Sequence, residues 1–369
     1  MYHPNFTISN NLLKYIASIE ASKEVVMNAP LVPDWEEQFK DDAAIRSVYH
    51  GTHLEGNELT KEQAARLVSL PFDSIDPENP DAAARQAGVF AKHRDVQEVL
   101  NARALRDWID LQQFPHDGSL TYTEEMLKMM HSFVTHRLLD EDQVGAYRTT
   151  QVVVRSADTG EIAFRPPLSL EIPTLMQDFF AWLNAKSHHE LHPVIRAGIT
   201  HYEVVHIHPF IEGNGRTARA MATLVLYSEG YDIRKLFSLE EYFDNDIQGY
   251  YNAILSVQRS ESLDMTYWLE YFAYGLALEL DRIKQHVIKL SKDAKFRSKL
   301  GAQIALSERQ LVLLELMRDR GFMTTAMANE ALPLISTDTI LRDLKDLLQK
   351  GVVVKRGVTK GARYEVADS

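Results

Sequence analysis

The chain contains no cysteine, and its 369 residues include no apolar run of the roughly 20 residues that a membrane-spanning helix requires. The missing cysteines exclude disulfides, thiolate nucleophiles and cysteine-ligated zinc. The segment MYHPNFTISN lacks a basic stretch followed by an apolar one, so no secretory signal is expected. A net charge of −12 argues against a protein that coats nucleic acid with its whole surface, although it permits a local basic patch. These absences predict a cytoplasmic protein with no membrane partner.

Apolar residues at helical spacing predict that most of the chain is α-helical, and a hydrophobic content of 45% is enough for two or three domain cores. Thr60 with Gln63, and Thr121 with Glu124, have the spacing of capping boxes that begin helices. The predicted helices include residues of about 10–29, 82–112, 170–186, 191–206, 214–229, 244–258 and 264–290.

Two parts of the chain depart from this helical pattern. The stretch TTQVVVRSADTGEIAFRPP alternates around a DTG turn and predicts a β-hairpin at about 150–165. Segment 291–303 is polar and basic, which is typical of a linker or of the end of a connecting helix. Residues 304–369 then predict three helices followed by two strands that flank a turn at 358–361. This order of elements predicts a winged helix.

The densest group of chemically active residues is the string HPFIEGNGRTAR, from His208 to Arg219. Gly213 and Gly215 let the backbone come close to an anion at the start of a helix, where unpaired N–H groups point outward. Arg216 and Arg219 are three residues apart and project from one face of that helix. Two forked cations beside a helix N-terminus suit a polyphosphate.

Three further side chains of this string add their own chemistry. Asn214 is a neutral hydrogen-bond donor, and Glu212 offers the hard oxygen ligand that a phosphate-bound Mg²⁺ prefers. His208 has a side chain that can take up a proton near neutral pH. Each of these residues alone is typical of a turn or a solvated helix face, whereas their combination within twelve residues indicates a functional site.

The string resembles the signature of the Fic (Fic/Doc) family, HxFx[D/E]GNGRxxR, and matches it at every defined position. The preceding HPVIRAGITHYEVVHI also resembles the family's helix before the loop, and the resemblance extends over roughly 40–290. It implies a mainly α fold, with a Fic helical core and a β-hairpin flap, beside the small C-terminal winged helix. The implied domains are a helical region at 1–100 with an inhibitory segment, a catalytic core at 101–290 and a winged helix at 304–369.

The resemblance implies a protein adenylyltransferase, which uses ATP and Mg²⁺ to move AMP to a Ser, Thr or Tyr hydroxyl of a protein substrate, including itself. His208 would be the general base that deprotonates this hydroxyl. Glu212 would hold Mg²⁺, although the family more often has Asp there. Arg216 would bind the β-phosphate side, Arg219 would meet the γ-phosphate, and Phe210 would anchor the loop. The anion hole would be formed by Gly213, Asn214 and Gly215. The neighbouring Thr217 would also contact the nucleotide.

Two other segments resemble parts of the family's binding surface. EEYFDNDIQGYYNAILSVQRS resembles a stretch in which a YY pair lines the adenine pocket. Tyr250, Tyr251 and Gln258 are therefore candidate nucleobase contacts, the alternative being a helix that buries its aromatic face. The hairpin resembles the flap that pairs with the backbone of the target protein. Its working edge would comprise Gln151, Val152, Val153 and Val154.

THLEGNELTKEQA, beginning at Thr52, resembles the inhibitory segment [S/T]xxxE[G/N] of one Fic subgroup. In that subgroup the glutamate pairs with the second arginine of the motif. The resemblance thus implies that Glu55 forms a bidentate pair with Arg219 in the place of the γ-phosphate. This chain departs from the pattern because Gly51 stands four residues before Glu55, with Thr52 one place later.

The C-terminal module carries a basic wing, since residues 350–363 contain no acid. Its cations are Lys350, Lys355, Arg356, Lys360 and Arg363. The third helix of the module mixes basic and acidic residues. If Asp338, Asp343 and Asp346 entered a major groove together with Arg342 and Lys345, phosphates would repel them. DNA binding and protein–protein packing are therefore both open for this module.

Three functions follow from the sequence. The first is AMP transfer under intramolecular inhibition, which the intact GNGR favours. The second is phosphate transfer as in the Doc branch of the family, whose members depart from GNGR and bind ATP in reverse. The third is a DNA-binding regulator whose Fic core only senses a nucleotide. Relatives that remove AMP leave the net direction open, and relatives that form dimers make a homodimer an open prediction.

Overall fold

The computed structural model describes residues 2–29, 33–71, 79–112, 120–155, 160–185, 190–299, 306–333, 335–357 and 362–367. These residues form two compact units, Met1–Ile288 and Lys289–Ser369. Each unit has its own cluster of buried apolar side chains. Within the described residues, no helix is long and apolar enough to cross a membrane.

Helices dominate the first unit, so the prediction of a mainly α fold is confirmed. The described α-helices, up to the one that begins at Thr266, are α1 (Asn10–Met27), α2 (Pro33–His53), α3 (Lys61–Val68), α4 (Pro80–Ala87), α5 (His93–Leu111), α6 (Glu124–Thr135), α7 (Ile172–Leu183), α8 (Pro193–Ile207), α9 (Asn214–Ser228), α10 (Leu239–Asn245), α11 (Ile247–Arg259) and α12 (Thr266–Lys299). Because α12 continues to Lys299, the described part of segment 291–303 is the end of a connecting helix.

The starts of two helices test the predicted capping boxes. Thr60 and Gln63 form a complete box at α3, because each side chain bonds the backbone N–H of the other residue. The second predicted box is wrong. Helix α6 is capped by Thr123, whose hydroxyl accepts from the N–H of Met126 at 3.2 Å, so the helix begins later than Thr121 implied.

The single helix predicted at 82–112 is two helices. Helix α4 ends at Gly88, which adopts a left-handed conformation with φ of 63° and returns its N–H to carbonyls of the last turn. Glycine favours this kind of helix stop because it has no Cβ. Helix α5 then begins at His93. The helix predicted at 244–258 is α11, which begins after its cap Asp246, and the separate helix α10 precedes it.

Helices α8 and α9 form the centre of the first unit. Both are buried along most of their length, so they have neighbours on nearly all sides. Helix α12 packs closely on α8 at Gly198, where an added Cβ would lie 2.8 Å from a methyl group of Leu269. Trp268 fixes this contact by donating from its indole nitrogen to the carbonyl of Gly198 at 2.8 Å. The loop between α8 and α9 therefore joins two buried helices, and α12 packs closely on the first of them.

The predicted hairpin is present as two short antiparallel strands, β1 (Val154–Arg155) and β2 (Ile162–Phe164). Of the predicted working edge, only Val154 lies in a strand, and residues 151–153 lead into it. The side chain of Gln151 donates to the carbonyl of Pro166 at 3.0 Å and so spans the base of the hairpin. The DTG turn lies at 158–160, of which 158–159 fall outside the described residues.

The second unit contains α13 (Glu308–Arg320), α14 (Thr325–Ala331), α15 (Thr337–Gln349), β3 (Val353–Arg356) and β4 (Arg363–Val366). The strands pair antiparallel, and Met323 bonds Tyr364 through two backbone hydrogen bonds of 2.8 Å. The predicted elements are thus present in the predicted order, whereas the turn at 358–361 lies outside the described residues. The assignment of this unit as a winged helix stays a prediction.

Two acids of α15 contact side chains of α13. Asp343 is 8% exposed and accepts from Arg309 of α13 at 2.9 Å. Asp346 accepts from Gln310 of α13 at 2.6 Å and pairs with Lys350. Asp343 therefore faces α13, whereas Asp338 and Asp346, whose side chain is 42% exposed, remain accessible acids of α15.

Candidate nucleotide-binding site

The loop that joins α8 to α9 begins with a strained residue. His208 ends α8 in a left-handed conformation, with φ of 51° and ψ of 57°. Such a backbone costs free energy for a residue with a Cβ, and surrounding contacts must hold it. Arg148 supplies them by donating to the carbonyls of His208 at 2.8 Å, Thr150 at 2.9 Å and Pro167 at 2.7 Å. Arg148 therefore joins the loop to both ends of the hairpin, a role that was not predicted from the sequence.

The imidazole of His208 is oriented as a proton acceptor. Its Nδ1 lies 3.2 Å from the carbonyl of Val205, to which it donates, so Nε2 keeps a lone pair. Burial is the largest influence on the pKa of His208 and lowers it below the ordinary histidine value. The ring is therefore neutral at pH 7, as a general base must be.

The middle of the loop is closed by Asn214. Its side-chain oxygen accepts from the N–H of Phe210 at 2.9 Å, and its amide nitrogen donates to the carbonyl of Phe210 at 2.9 Å. These bonds fix the Asn214 side chain to the loop backbone, and its place in an anion hole stays a prediction. The backbone N–H of Asn214, at the start of α9, is a further donor for an anion.

His131 of α6 stacks on the same loop and forms a hydrogen bond with its backbone. Its ring stacks on that of fully buried Phe210, with centroids 3.8 Å apart and planes 7° apart. Its Nε2 donates to the carbonyl of Glu212 at 3.0 Å, and its Nδ1 accepts from the N–H of Gly145 at 3.0 Å. Burial lowers the pKa of His131 to about 4, so the ring stays neutral and makes both bonds. This residue was not among those predicted from the sequence.

Two glycines shape the N-terminus of α9. Gly213 has φ of 76°, and an added Cβ would lie 3.1 Å from methyl groups of Thr135 and Val134. Gly215 is still more restricted, since an added Cβ would lie 2.5 Å from a carboxylate oxygen of Glu55. The hydroxyl of Thr217 donates to the carbonyl of Gly213 at 2.8 Å and is buried, so the predicted nucleotide contact of Thr217 does not involve its side chain.

Glu212 lies at the edge of this helix start and is partly exposed. Its Oε1 accepts from Arg216 at 3.2 Å and from Arg94 of α5 at 2.5 Å. Within the described residues, there is no group of three or more acidic or histidine side chains that could hold a metal ion. A single carboxylate nevertheless fits Mg²⁺ when the phosphates of a nucleotide supply further oxygens. Glu212 would hold the ion in that case.

The second arginine of the string meets the predicted inhibitory residue. Arg219 donates through Nη2 to Glu55 at 2.8 Å and to the carbonyl of Gly51 at 3.0 Å. Its Nη1 has no hydrogen-bond partner among the described residues. The predicted bidentate geometry is therefore wrong, because the pair is made through one nitrogen that also serves the end of α2.

Glu55 stands in the turn that follows α2, and its side chain is 28% exposed. The turn is closed by its own N–H, which bonds the carbonyl of Thr52 at 3.0 Å. Burial alone would raise the pKa of Glu55, but the charges of Arg219 and Arg216 outweigh it, so the pKa lies below its usual value. The carboxylate is therefore ionised at neutral pH.

The predicted nucleobase contacts divide into one buried and one accessible tyrosine. Tyr250 is 2% exposed, and its hydroxyl lies 3.1 Å from Nε2 of His201. Tyr251 is 40% exposed and lies beside it, with ring centroids 5.3 Å apart. Gln258 is half-buried in the same helix. Of the two rings, Tyr251 offers surface to a ligand, whereas Tyr250 packs in the core.

Comparison with known proteins agrees with this arrangement. Residues 121–226 match the model of the Fic/DOC family. The chain is 30% identical over 193 residues to "Protein adenylyltransferase Fic" of Drosophila grimshawi, which covers 52% of this chain and 35% of that protein. The protein of the same name from Culex quinquefasciatus is 30% identical over 190 residues, covering 52% and 33%. The chain thus spans about a third of the length of these curated relatives.

Solved structures share the fold. A Fic family protein from Desulfovibrio desulfuricans G20 has a TM-score of 0.61 and 21% identity, and the match covers 100% of this chain and 99% of that one. Fic-1 (residues 134–508) from C. elegans has a TM-score of 0.56 and 22% identity, covering 77% and 73%. Residues 121–226 are therefore similar in sequence to the Fic/DOC family, and the chain shares the fold of solved Fic proteins.

Proposed function

We propose that the chain is a protein adenylyltransferase, which transfers AMP from Mg-ATP to a protein hydroxyl and which Glu55 inhibits. The observation that carries this proposal is the contact of Glu55 with Arg219 at 2.8 Å, beside the start of α9 and close to a neutral His208. The names of the similar curated proteins support the reaction type.

The reaction follows from the groups at this site. Nε2 of His208 accepts the proton of the target hydroxyl, and the hydroxyl oxygen attacks the α-phosphorus. The bond from that phosphorus to the bridging oxygen breaks, and pyrophosphate leaves. The N–H groups of Asn214 and Gly215, with the guanidinium of Arg216, stabilise the charge that develops on phosphate oxygens. Mg²⁺ on Glu212 would supply further neutralisation of the polyphosphate.

The inhibition follows from competition for one cation. Arg219 is 4% exposed and already donates to an ionised carboxylate. A γ-phosphate needs the same N–H groups, so it can bind productively only where Glu55 has moved away. Substitution of Glu55 by glycine should therefore increase transfer.

Intact-protein mass spectrometry tests the proposed reaction. The wild-type protein and Glu55→Gly are incubated with ATP and Mg²⁺, and the mass added to each is measured. An increment equal to AMP, larger in Glu55→Gly, is the expected result. An increment equal to phosphate would instead indicate phosphate transfer. No increment on this chain or on proteins of a cell extract would favour a core that only senses the nucleotide.

A second function is favoured for the C-terminal unit, namely contact with duplex DNA. The observation is that Asp343 is buried against α13, whereas Arg342 and Lys345 are exposed on α15 beside the partly exposed Asp346. The exposed side chains of β3 add Lys355 to this basic surface. The charge of this face suits phosphates better than the composition of α15 implied.

A gel shift with random-sequence duplex at low salt tests this contact. Arg342→Ala with Lys345→Ala should weaken binding and make its salt dependence shallower. Arg320→Ala, which removes an exposed cation of α13, serves as the control and should have little effect. If the intact protein does not shift DNA at low salt, this surface instead docks against protein.

A further inference from the structure

Glu212 is held from two different elements of the fold. Arg216, four residues later, donates to its Oε1 at 3.2 Å. Arg94, in the first turn of α5 and 118 residues away in sequence, donates to the same oxygen at 2.5 Å. The carboxylate that fits Mg²⁺ is therefore already paired with two guanidinium groups.

Arg94 has a second acidic partner one helical turn along α5. Its Nε donates to Oε1 of Glu98 at 3.1 Å, and Glu98 lies 3.8 Å from Nη1 of Arg216. The four side chains of Arg94, Glu212, Arg216 and Glu98 thus alternate in charge. Glu98 is 6% exposed and also accepts from Asn57 at 2.9 Å, which fixes it in place.

The exposed fractions of these side chains differ. The side chain of Arg94 is 53% exposed, whereas that of Arg216 is 9% exposed and that of Glu98 is 8% exposed. Arg94 can therefore turn away from Glu212 at little cost while its Nε stays on Glu98. A divalent cation placed on Glu212 would repel a guanidinium that touches the same oxygen, since like charges at contact distance are unfavourable.

We propose that Arg94 is a positioning residue that competes with Mg²⁺ for Glu212 and so sets the Mg²⁺ concentration at which nucleotide binds. This inference rests on the proposed function, because it takes Mg-nucleotide as the ligand of the site. When the cation arrives, Arg94 gives up Glu212 and keeps Glu98. Arg216 then exchanges its acidic partners for phosphate.

This competition is separate from the inhibition by Glu55. It acts on the metal carboxylate and comes from α5, whereas Glu55 follows α2 and acts on Arg219. The two contacts share no residue. Their effects on nucleotide binding should therefore multiply, as expected for independent sites.

Isothermal titration calorimetry of ATP at a series of Mg²⁺ concentrations tests the proposal. The protein carries His208→Ala, so that ATP is not consumed. Arg94→Gln should lower the Mg²⁺ concentration for half-maximal binding roughly two- to fivefold, the range for a partly exposed ion pair. Arg94→Lys should restore most of the original requirement, because it keeps the charge. Raised salt should bring the parent protein toward Arg94→Gln.

Lys92→Gln is the matched control. It removes one cation two residues earlier, whose partner is Glu58 at 2.5 Å, and it leaves Glu212 unaffected. An unchanged Mg²⁺ requirement in Lys92→Gln, together with the shift in Arg94→Gln and the same fold-change in a Glu55→Gly background, is the supporting result.

Four outcomes would overturn the proposal. Equal shifts in Arg94→Gln and Lys92→Gln would indicate a general effect of charge. Weaker ATP binding by Arg94→Gln at saturating Mg²⁺ would make Arg94 a phosphate contact. Mg²⁺-dependent binding without any shift would remove the role of Arg94 and leave the proposed function standing, whereas no Mg²⁺-dependent ATP binding in any variant would overturn both.

Discussion

Some side chains around the α8–α9 loop hold its shape, and others can act on a ligand. Asn214 and Thr217 bond the backbone of the loop itself, and Arg148 and His131 hold it from neighbouring elements. Their polar atoms are occupied within the protein, so changing them should disturb the shape of the loop. Fewer side chains remain that can act on a ligand. One of them is His208, whose Nε2 keeps a lone pair that can accept a proton.

Substitution of His208 by alanine should reduce AMP transfer about 10²- to 10⁴-fold, the usual effect of removing a general base. ATP affinity should change little, because other groups hold the phosphates. Since the pKa of His208 is lowered, the wild-type rate should stay high as the pH falls to the ordinary histidine pKa of about 6.5, and decline only below it. A pH–rate profile with titration calorimetry checks both points, and near-normal self-labelling by His208→Ala would contradict the assignment.

Substitution of Glu55 by glycine should raise self-labelling roughly 10- to 100-fold, because a charge-assisted hydrogen bond to Arg219 no longer competes with phosphate. Labelling with radioactive ATP measures the change. Glu58→Gln, which alters an exposed acid three residues away, should leave labelling unchanged.

The same experiment has an internal cross-check. Arg219→Ala added to Glu55→Gly should cancel the gain, since both changes act through one phosphate position. Unchanged labelling in Glu55→Gly would mean that the segment is only structural. Reduced labelling with reduced AMP release would make Glu55 a catalytic group.

At the scale of elements, the position of Glu55 depends on how α2 is attached to the core. His50 and His53, in the last turns of α2, each lie 2.7 Å from the carboxylate of Asp244 in α10. Arg46, further along α2, pairs with Glu241 of α10 at 2.8 Å. Helix α10 therefore clamps the end of α2 from which the inhibitory turn projects.

Substitution of Asp244 by alanine should loosen this turn and raise self-labelling, though by less than Glu55→Gly, because Arg219 still attracts Glu55. Hydrogen exchange of residues 50–57 should become faster in the variant. Asp42→Ala is the control, since it removes an exposed partner of Arg46 on the same helix and leaves the pair with Glu241 intact. Unchanged exchange and labelling would show that other contacts hold α2.

For the molecule as a whole, buried titratable groups make stability depend on pH. Burial lowers the pKa of both His131 and His206 to about 4 and raises that of Glu203 to about 7. Each histidine binds its proton more readily in the unfolded chain, so its contribution to stability is complete above about pH 6.5 and is lost toward pH 4. Glu203 has the opposite sign, because its contribution is complete in acid and is lost as the pH rises through 7.

The free energy of unfolding should therefore fall between pH 7 and pH 5, since two histidines, each worth up to about 3 kcal/mol over their full range, outweigh one carboxyl group. Urea denaturation at a series of pH values measures this. Glu203→Gln, which removes the opposing contribution, should make the loss in acid steeper. A flat profile in both proteins would contradict the assigned direction of these pKa values.

The sequence by itself determined the elements whose causes are local. The capping box of Thr60, the short hairpin, and the loop with Gly213 before α9 all depend on residues within a few positions of one another. The same holds for the choice of chemistry, because the base, the acid and two arginines stand together in one string. The family could be predicted for that reason.

Only the tertiary structure decided which distant side chains complete the site. Arg94 reaches Glu212 across 118 residues, His131 reaches its carbonyl across 81, and Arg148 reaches His208 across 60. Helical spacing shows which residues share a face, but not which helix covers that face. For the same reason the sequence could not tell that Tyr250 would be buried or that the predicted bidentate pair would use one nitrogen. Those outcomes depend on packing between elements far apart in the chain, which no local pattern encodes.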